Sequence, residues 1–368
     1  MYPTVGEVVK GNCEIHVSEL MSTVGFQMGR EVQLACYPDG EVRAQDFRVA
    51  DVALRDPGPG EVVVRNTWTS VDPGLRLRLR ETGPTGYFPA FAPGAAMDGI
   101  LTVGEVVESR ADGFPVGDTV WHAAGWRDYS VVRAGEVALG GLGTLTRLDT
   151  ARAPAHRYLG PLGGMGLTAW AGLFSAAGLR EGDVVWVSAA AGAVGSLAAQ
   201  FAKIRGHRVI GSAGSAEKVS YLLDELGLDA AFDHRSGQVL ELLRSAAPDG
   251  IDVYFDNVGG DHLDAALACM RPWGRVALCG AISTYERAGA VHGPANLFQA
   301  TANNLTLRGF RGSSHVDRME EMQSEVAAWL HDGRLRFRET VVDGLHRAPE
   351  ALVRVLRGDT IGKTLVRI

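Results

Sequence analysis

The 368-residue sequence predicts an α/β protein of two parts, a β-rich, barrel-like domain and a doubly wound parallel sheet. Three observations carry this. Short segments of alternating apolar and polar residues, broken by Asp-Gly and Pro-Gly turns, fill residues 31–132. Past Ala155, strand-like runs alternate with helical runs of about ten residues, the rhythm of parallel pairing with crossover helices. A glycine-rich turn, "VSAAAGAVGS" (Val187–Ser196), falls at the first strand-to-helix junction of that series.

Residues 1–27 show no periodicity and are set apart as an N-terminal extension without an assigned role; Met28 could serve as a natural start. The first domain follows as "EVQLACYPDG", "FRVADVALRDPGPG", "EVVVRNTWTS", "GILTVGEVVES" and "DTVWHAAGWRDYSVV". In the second, "DVVWVSA" is a strand, "SLAAQFAKIRG" a helix, "HRVIGSA" a strand and "AEKVSYLLDELG" a helix. "DAAFDH", "VLELLRSAA", "IDVYFDNVG", "HLDAALACMRPWG" and "RVALCGAI" continue the alternation, with "HLDAALACMRPWG" read as helical throughout. The last segment, with "LRFRET" and "KTLVRI", is strand-like and is expected to rejoin the first domain. The expected boundaries are 28–154, 155–312 and 313–368.

Hydrophobic residues at 46% and charged residues at 21% describe a soluble globular chain. A net charge of −7 argues against nucleic acid as a main partner, and Arg76, Arg78 and Arg80 read as a solvated face. Cys13, Cys36, Cys269 and Cys279 are scattered, which fits a reducing, cytoplasmic setting and offers no four-cysteine zinc site. The uncharged runs Tyr158–Leu179 and Val184–Ala202 approach bilayer length, but Gly, Ala and Ser dilute them, so they read as buried core and not as membrane spans. No basic region followed by an apolar stretch marks a signal peptide.

At the glycine turn, Gly192 and Gly195 let backbone and helix approach a pyrophosphate, whose charge the free N–H groups of the helix start stabilise. Ala189 holds the first position, so the turn reads A-x-x-G-x-x-G. After the second strand, a site for NAD needs an Asp or Glu on the ribose 2′-OH. The chain instead offers Gly211 to Ser215 and then Lys218, small residues and an ammonium suited to a 2′-phosphate. The expected cofactor is NADP(H). A tight turn of purely structural purpose and a solvated Lys218 are the plainer readings of the same residues.

In this order the sequence resembles the medium-chain dehydrogenase/reductase superfamily, and within it the zinc-independent leukotriene B4 12-hydroxydehydrogenase / prostaglandin reductase / alkenal double-bond reductase family. The phrases that carry the likeness are "VRNTWTSVDP", "GLTAW", "SAAAGAVGS", "AGSAEKVSYL", "FDNVGG", "CGAISTY" and "GKTLVRI". The resemblance implies a GroES-like catalytic domain and a Rossmann nucleotide domain. It places NADP contacts at Thr168, Gly192, Ala193, Val194, Gly195, Ser215, Lys218, His234 and Asn257, at Cys279, Gly280, Ala281, Ile282 and Ser283, and at Phe310. It makes Tyr285 the catalytic residue, a phenol that stabilises the enolate formed when hydride reaches the β-carbon of an enone. It also implies a homodimer joined near "LTLRGFRG", with small enone or enal substrates as the only other partners.

The chain departs from the family where Gly74 stands in place of a tyrosine after "DP"; a wider pocket without a second phenol is expected there. His234 replaces a tyrosine over the 2′-phosphate, "GGMG" (Gly163–Gly166) replaces a Met-Pro-Gly sequence, and Thr360 stands where asparagine is usual. A zinc alcohol dehydrogenase would need a cysteine and a Gly-His-Glu run in the first domain, which is lacking; His122 and His156 read as satisfied histidines. A quinone reductase on the same scaffold and a non-catalytic NADPH-binding protein are the competing readings.

Overall fold

The computed structural model describes residues 27–286 and 292–368; the extension at 1–26 lies outside them. The first strands are β1 (Met28–Leu34) and β2 (Phe47–Ala53), an antiparallel pair running from Met28 opposite Ala53 to Leu34 opposite Phe47. The barrel-like sheet is built from β3 (Glu61–Ser70), β4 (Thr102–Ser109), β5 (Thr119–His122), β6 (Tyr129–Arg133) and β7 (Thr146–Arg147). The start of β3 is buried on both faces, from Glu61 to Val64, and Val62 and Val64 pack with Val106 and Val120 in one apolar cluster.

The parallel sheet comprises β8 (Val184–Val187), β9 (Arg208–Ala213), β10 (Ala230–Asp233), β11 (Ile251–Asp256), β12 (Met270–Leu278) and β13 (Thr306–Gly309). Its spatial order is β10-β9-β8-β11-β12-β13, every neighbouring pair parallel. All four residues of β8 are buried, as a strand covered on both faces requires. Trp186 of β8 stacks on Tyr254 of β11 with centroids 4.4 Å apart beneath one set of helices. Strand order reverses between β8 and β11, and the crevice outside the carboxyl ends of these strands is where such sheets take ligands.

The helices are α1 (Gly164–Trp170), continued by a wider π-helical segment to Ala177, α2 (Ala193–Ile204), α3 (Ala216–Ser220), α4 (Val239–Ala246), α5 (Asp261–Cys269), α6 (Phe298–Ala302), α7 (Met319–His331) and α8 (Ala348–Arg357). Among the described residues no helix is long and apolar enough to cross a membrane. The last strands, β14 (Glu339–Asp343) and β15 (Lys363–Arg367), pair in parallel, and β15 runs antiparallel to β3. The end of the chain thus rejoins the barrel sheet, although the strand expected at "LRFRET" begins only at Glu339.

Two sequence readings are corrected. The helix expected through "HLDAALACMRPWG" stops at Cys269; Met270 already pairs with Ile251, because Pro272 cannot extend a helix and disfavours the helical conformation just before it. Arg76 and Arg78 are not a solvated face but buried, at 5% and 4% exposure. Arg78 donates through both terminal nitrogens to Asp98, at 2.6 and 2.7 Å, and lies over the ring of Phe91. A buried guanidinium left unpaired would cost several kcal/mol, so Asp98 is what makes this position tolerable.

Candidate active site

A cavity of about 520 Å³ opens at the switch point between β8 and β11 and extends toward the barrel sheet. That lies within the range of small-molecule and cofactor sites. The glycine turn forms its floor. Ala189 adopts φ +47°, a left-handed conformation that costs a residue with a Cβ roughly 1–2 kcal/mol, which is why glycine would sit there more comfortably. Gly195 is required by space: a Cβ on it would stand 2.3 Å from the carbonyl oxygen of Ala189. Ala193, Val194 and Gly195 open α2, so their N–H groups have no partner within the helix, and all three residues line the cavity. Gly192 bridges to Gly362, whose N–H donates to the carbonyl of Ala191 at 2.8 Å, and so ties the return segment to the turn.

One end of the cavity is cationic. Lys218, His234 and Arg235 line it around Gly214, where a Cβ would meet His234 Nε2 at 3.1 Å and Arg235 Nε at 3.4 Å. Burial holds both Lys218 and His234 below their ordinary pKa, and the neighbouring Arg235 charge pushes in the same direction. Three basic groups that disfavour one another's charge around a side-chain-free floor suit a doubly charged phosphate, which relieves the repulsion. Sequence reasoning missed Arg235; its signal was a second basic residue in the turn after β10. Ser215 does not line the cavity. Its hydroxyl caps α3 by accepting the Lys218 N–H at 3.3 Å, so it positions the backbone that carries Lys218.

The other end mixes aromatic, aliphatic and polar groups. Thr168, Asn257, Cys279, Gly280, Ile282, Ser283, Tyr285 and Phe310 line it, joined by Tyr87, Phe88 and Leu142. Thr168 donates its hydroxyl to the carbonyl of Gly164 at 2.7 Å, and Asn257 donates Nδ2 to the carbonyl of Ser188 at 2.7 Å, which fixes its amide. Burial pushes the Cys279 thiol up to about 12, so it is a neutral packing group. Phe310 meets Phe255 edge-on at 6.0 Å. Ala281 does not line the cavity; its N–H points at the Tyr285 hydroxyl, at 3.4 Å. Burial raises the Tyr285 pKa above 10, so the phenol stays a proton donor through the neutral range.

The first domain holds Tyr285 in place. Arg80 donates to its backbone carbonyl, and the buried Arg76 donates Nε to Glu286 at 2.9 Å. Lys363 of β15, 1% exposed, donates to Asp72 and to the carbonyl of Val71, both at 2.8 Å, and pins the turn leading to Gly74. At Gly74 the expectation of a site lacking a second phenol is overturned. The hydroxyl of Tyr87 comes within 2.8 Å of where a Cβ on Gly74 would stand.

His122 lies outside the cavity, its Nε2 3.0 Å from Asn66 Oδ1 and its Nδ1 accepting the Ala124 N–H; burial lowers its pKa to about 3, and it is a satisfied core histidine. His156 pairs instead with Glu339, at 3.4 Å. Among the described residues no three His, Cys, Asp or Glu side chains gather in a way that could hold a metal ion.

Residues 30–139 match a family model described as the N-terminal domain of oxidoreductase, and residues 193–330 one described as zinc-binding dehydrogenase. The putative NADP-dependent oxidoreductase YfmJ of Bacillus subtilis (strain 168) is 37% identical over 344 residues, covering 92% of this chain and 97% of that protein. The 2-alkenal reductase (NADP(+)-dependent) of Nicotiana tabacum is 37% identical, with 92% and 97% covered. The crystal structure of CurA in complex with NADPH from Vibrio vulnificus superposes with a TM-score of 0.84 at 33% identity, covering 92% of this chain and 98% of that one. With its fold, its cavity and these likenesses in agreement, the chain belongs to the medium-chain dehydrogenase/reductase family, in the branch of NADP-dependent oxidoreductases that includes the alkenal and prostaglandin reductases.

Proposed function

We propose that the chain reduces the carbon–carbon double bond of α,β-unsaturated ketones and aldehydes with NADPH. The observation that carries the reading is a single cavity, cationic at Lys218, His234 and Arg235 and lined at its other end by the phenol of Tyr285. When bound, NADPH supplies a hydride to the β-carbon of the substrate. Lys218 and Arg235 neutralise the 2′-phosphate, with His234 as a further hydrogen-bond partner. The first N–H groups of α2 receive the pyrophosphate, and Asn257 with the Cys279–Ser283 turn borders the nicotinamide end. Tyr285 donates its O–H to the substrate carbonyl oxygen, where negative charge grows toward an enolate; the bond strengthens as the charge develops, which lowers the barrier. The α-carbon then takes a proton from this phenol or from water. The apolar walls exclude bulk water and so strengthen that hydrogen bond.

NADPH oxidation with 3-nonen-2-one, 2-hexenal and 1,4-benzoquinone tests the assignment. Turnover of the enone and enal well above the quinone is expected. A preference for the quinone would replace this reading by a quinone reductase, and tight NADPH binding without turnover by a non-catalytic binding protein.

A further inference from the structure

Tyr87 sits in the loop after the 3₁₀ turn Pro73–Arg78, and both domains fix its backbone. Its N–H donates to the carbonyl of Pro84 at 3.1 Å, and Arg311, just past β13, donates to the carbonyl of Gly86 at 2.8 Å. Its ring packs on Phe88 with centroids 4.8 Å apart. The side chain lines the same end of the cavity as Tyr285, and among the described residues no hydrogen bond engages its hydroxyl. Tyr285 differs here, its oxygen already facing the Ala281 N–H. Gly74 is what leaves Tyr87 room: a Cβ there would stand 2.8 Å from the phenol oxygen but 4.0 Å from ring atom Cζ, a clash with the hydroxyl alone.

We propose that Tyr87 is a second substrate-contacting phenol, donating its O–H to the enone oxygen from the first-domain wall while Tyr285 approaches from the nucleotide-domain wall. This rests on the enone-reductase reading above. Burial and the nearby Tyr285 push the Tyr87 pKa up to about 12, which keeps it a donor at neutral pH. A phenol held in place on the cavity wall, with a hydroxyl that no protein group engages, has a donor free for a ligand, and a substrate oxygen is the partner that fits.

The test is Tyr87→Phe with NADPH and 3-nonen-2-one. A fall in kcat/KM of about tenfold or more is expected, with the KM for NADPH and the melting temperature unchanged. Gly74→Ala is expected to lower kcat/KM as well, by displacing the hydroxyl, yet to add little in the Tyr87→Phe background, where only the ring remains. Full activity in Tyr87→Phe, or an undiminished Gly74→Ala effect in the double variant, would overturn the proposal. An independent readout is the affinity of the saturated ketone 2-nonanone for the NADP⁺ complex by calorimetry. A roughly tenfold loss in Tyr87→Phe supports Tyr87 even if no enone is turned over, in which case only the reductase reading fails. Unchanged affinity, or no ketone binding by the unaltered protein, overturns the Tyr87 proposal.

Discussion

At the cationic end of the cavity, Lys218, His234 and Arg235 come from the helix that follows β9 and the turn that follows β10. At the substrate end, Gly74, Tyr87, Tyr285 and Phe310 arrive from four separate stretches and from both domains. The first end is the more local of the two: the ends of two neighbouring strands and one capped helix carry its basic groups, and the return segment adds the carbonyl of Gly358, which accepts from Lys218 Nζ. The second exists only when the barrel sheet, the parallel sheet and the return strand β15 are docked, through contacts such as Arg80 to the Tyr285 carbonyl and Lys363 to Asp72. Damage to the first should therefore show in cofactor choice, and damage to the second in turnover.

The strongest way to break this contrast is Lys218→Ala combined with Arg235→Ala. The KM for NADPH is expected to rise roughly a hundredfold, and about tenfold for each single change, since a hydrogen bond to a charged group contributes about 1.5–3 kcal/mol. NADH kinetics should hardly move; equal loss for both cofactors would remove the phosphate from this end. Next, Tyr285→Phe should lower kcat on enones about tenfold or more while leaving the KM for NADPH alone. Because the Tyr285 pKa is raised, its proton is lost only as pH climbs above 10, so the alkaline fall in kcat should lie beyond that point and vanish in the Phe variant. A fall near neutral pH would assign the proton to another group.

A smaller effect sharpens the role of domain docking. Arg80→Ala should lower kcat roughly two- to tenfold, the range of one neutral-acceptor hydrogen bond, with NADPH binding intact. A change in NADPH affinity and none in kcat would mean that Arg80 serves the cofactor and not Tyr285. The smallest expected effect is Ser215→Ala. Loss of the cap should cost about 0.5–1 kcal/mol in thermal unfolding and leave the NADPH KM within about twofold. A large rise in KM would make Ser215 a direct phosphate ligand after all.

Legibility in the sequence followed the same division. The alternation of strands and helices, the turn at Gly192 and Gly195, and the absence of an acidic residue from Gly211 to Ala216 depend on near neighbours, and the fold places these elements as read. The helix through "HLDAALACMRPWG" was overextended because its apolar spacing outweighed Pro272 in the reading. Arg76 and Arg78 look like surface charge in one dimension, since Asp98 lies twenty or more residues away and Glu286 in another domain. Tyr87 gave no signal at all: its partner position, Gly74, registers in the sequence as the mere lack of a side chain.

By itself the sequence determined the α/β architecture, the glycine turn at the first strand-to-helix junction and NADP(H) as the cofactor to expect, because hydrophobic period, backbone freedom and local charge act over a few residues. Only the tertiary structure decided which phenols share a chamber, which arginines are buried and what fills the space over Gly74. Those outcomes depend on packing between segments far apart in the chain, where a gap of a few ångströms admits a hydroxyl or excludes it.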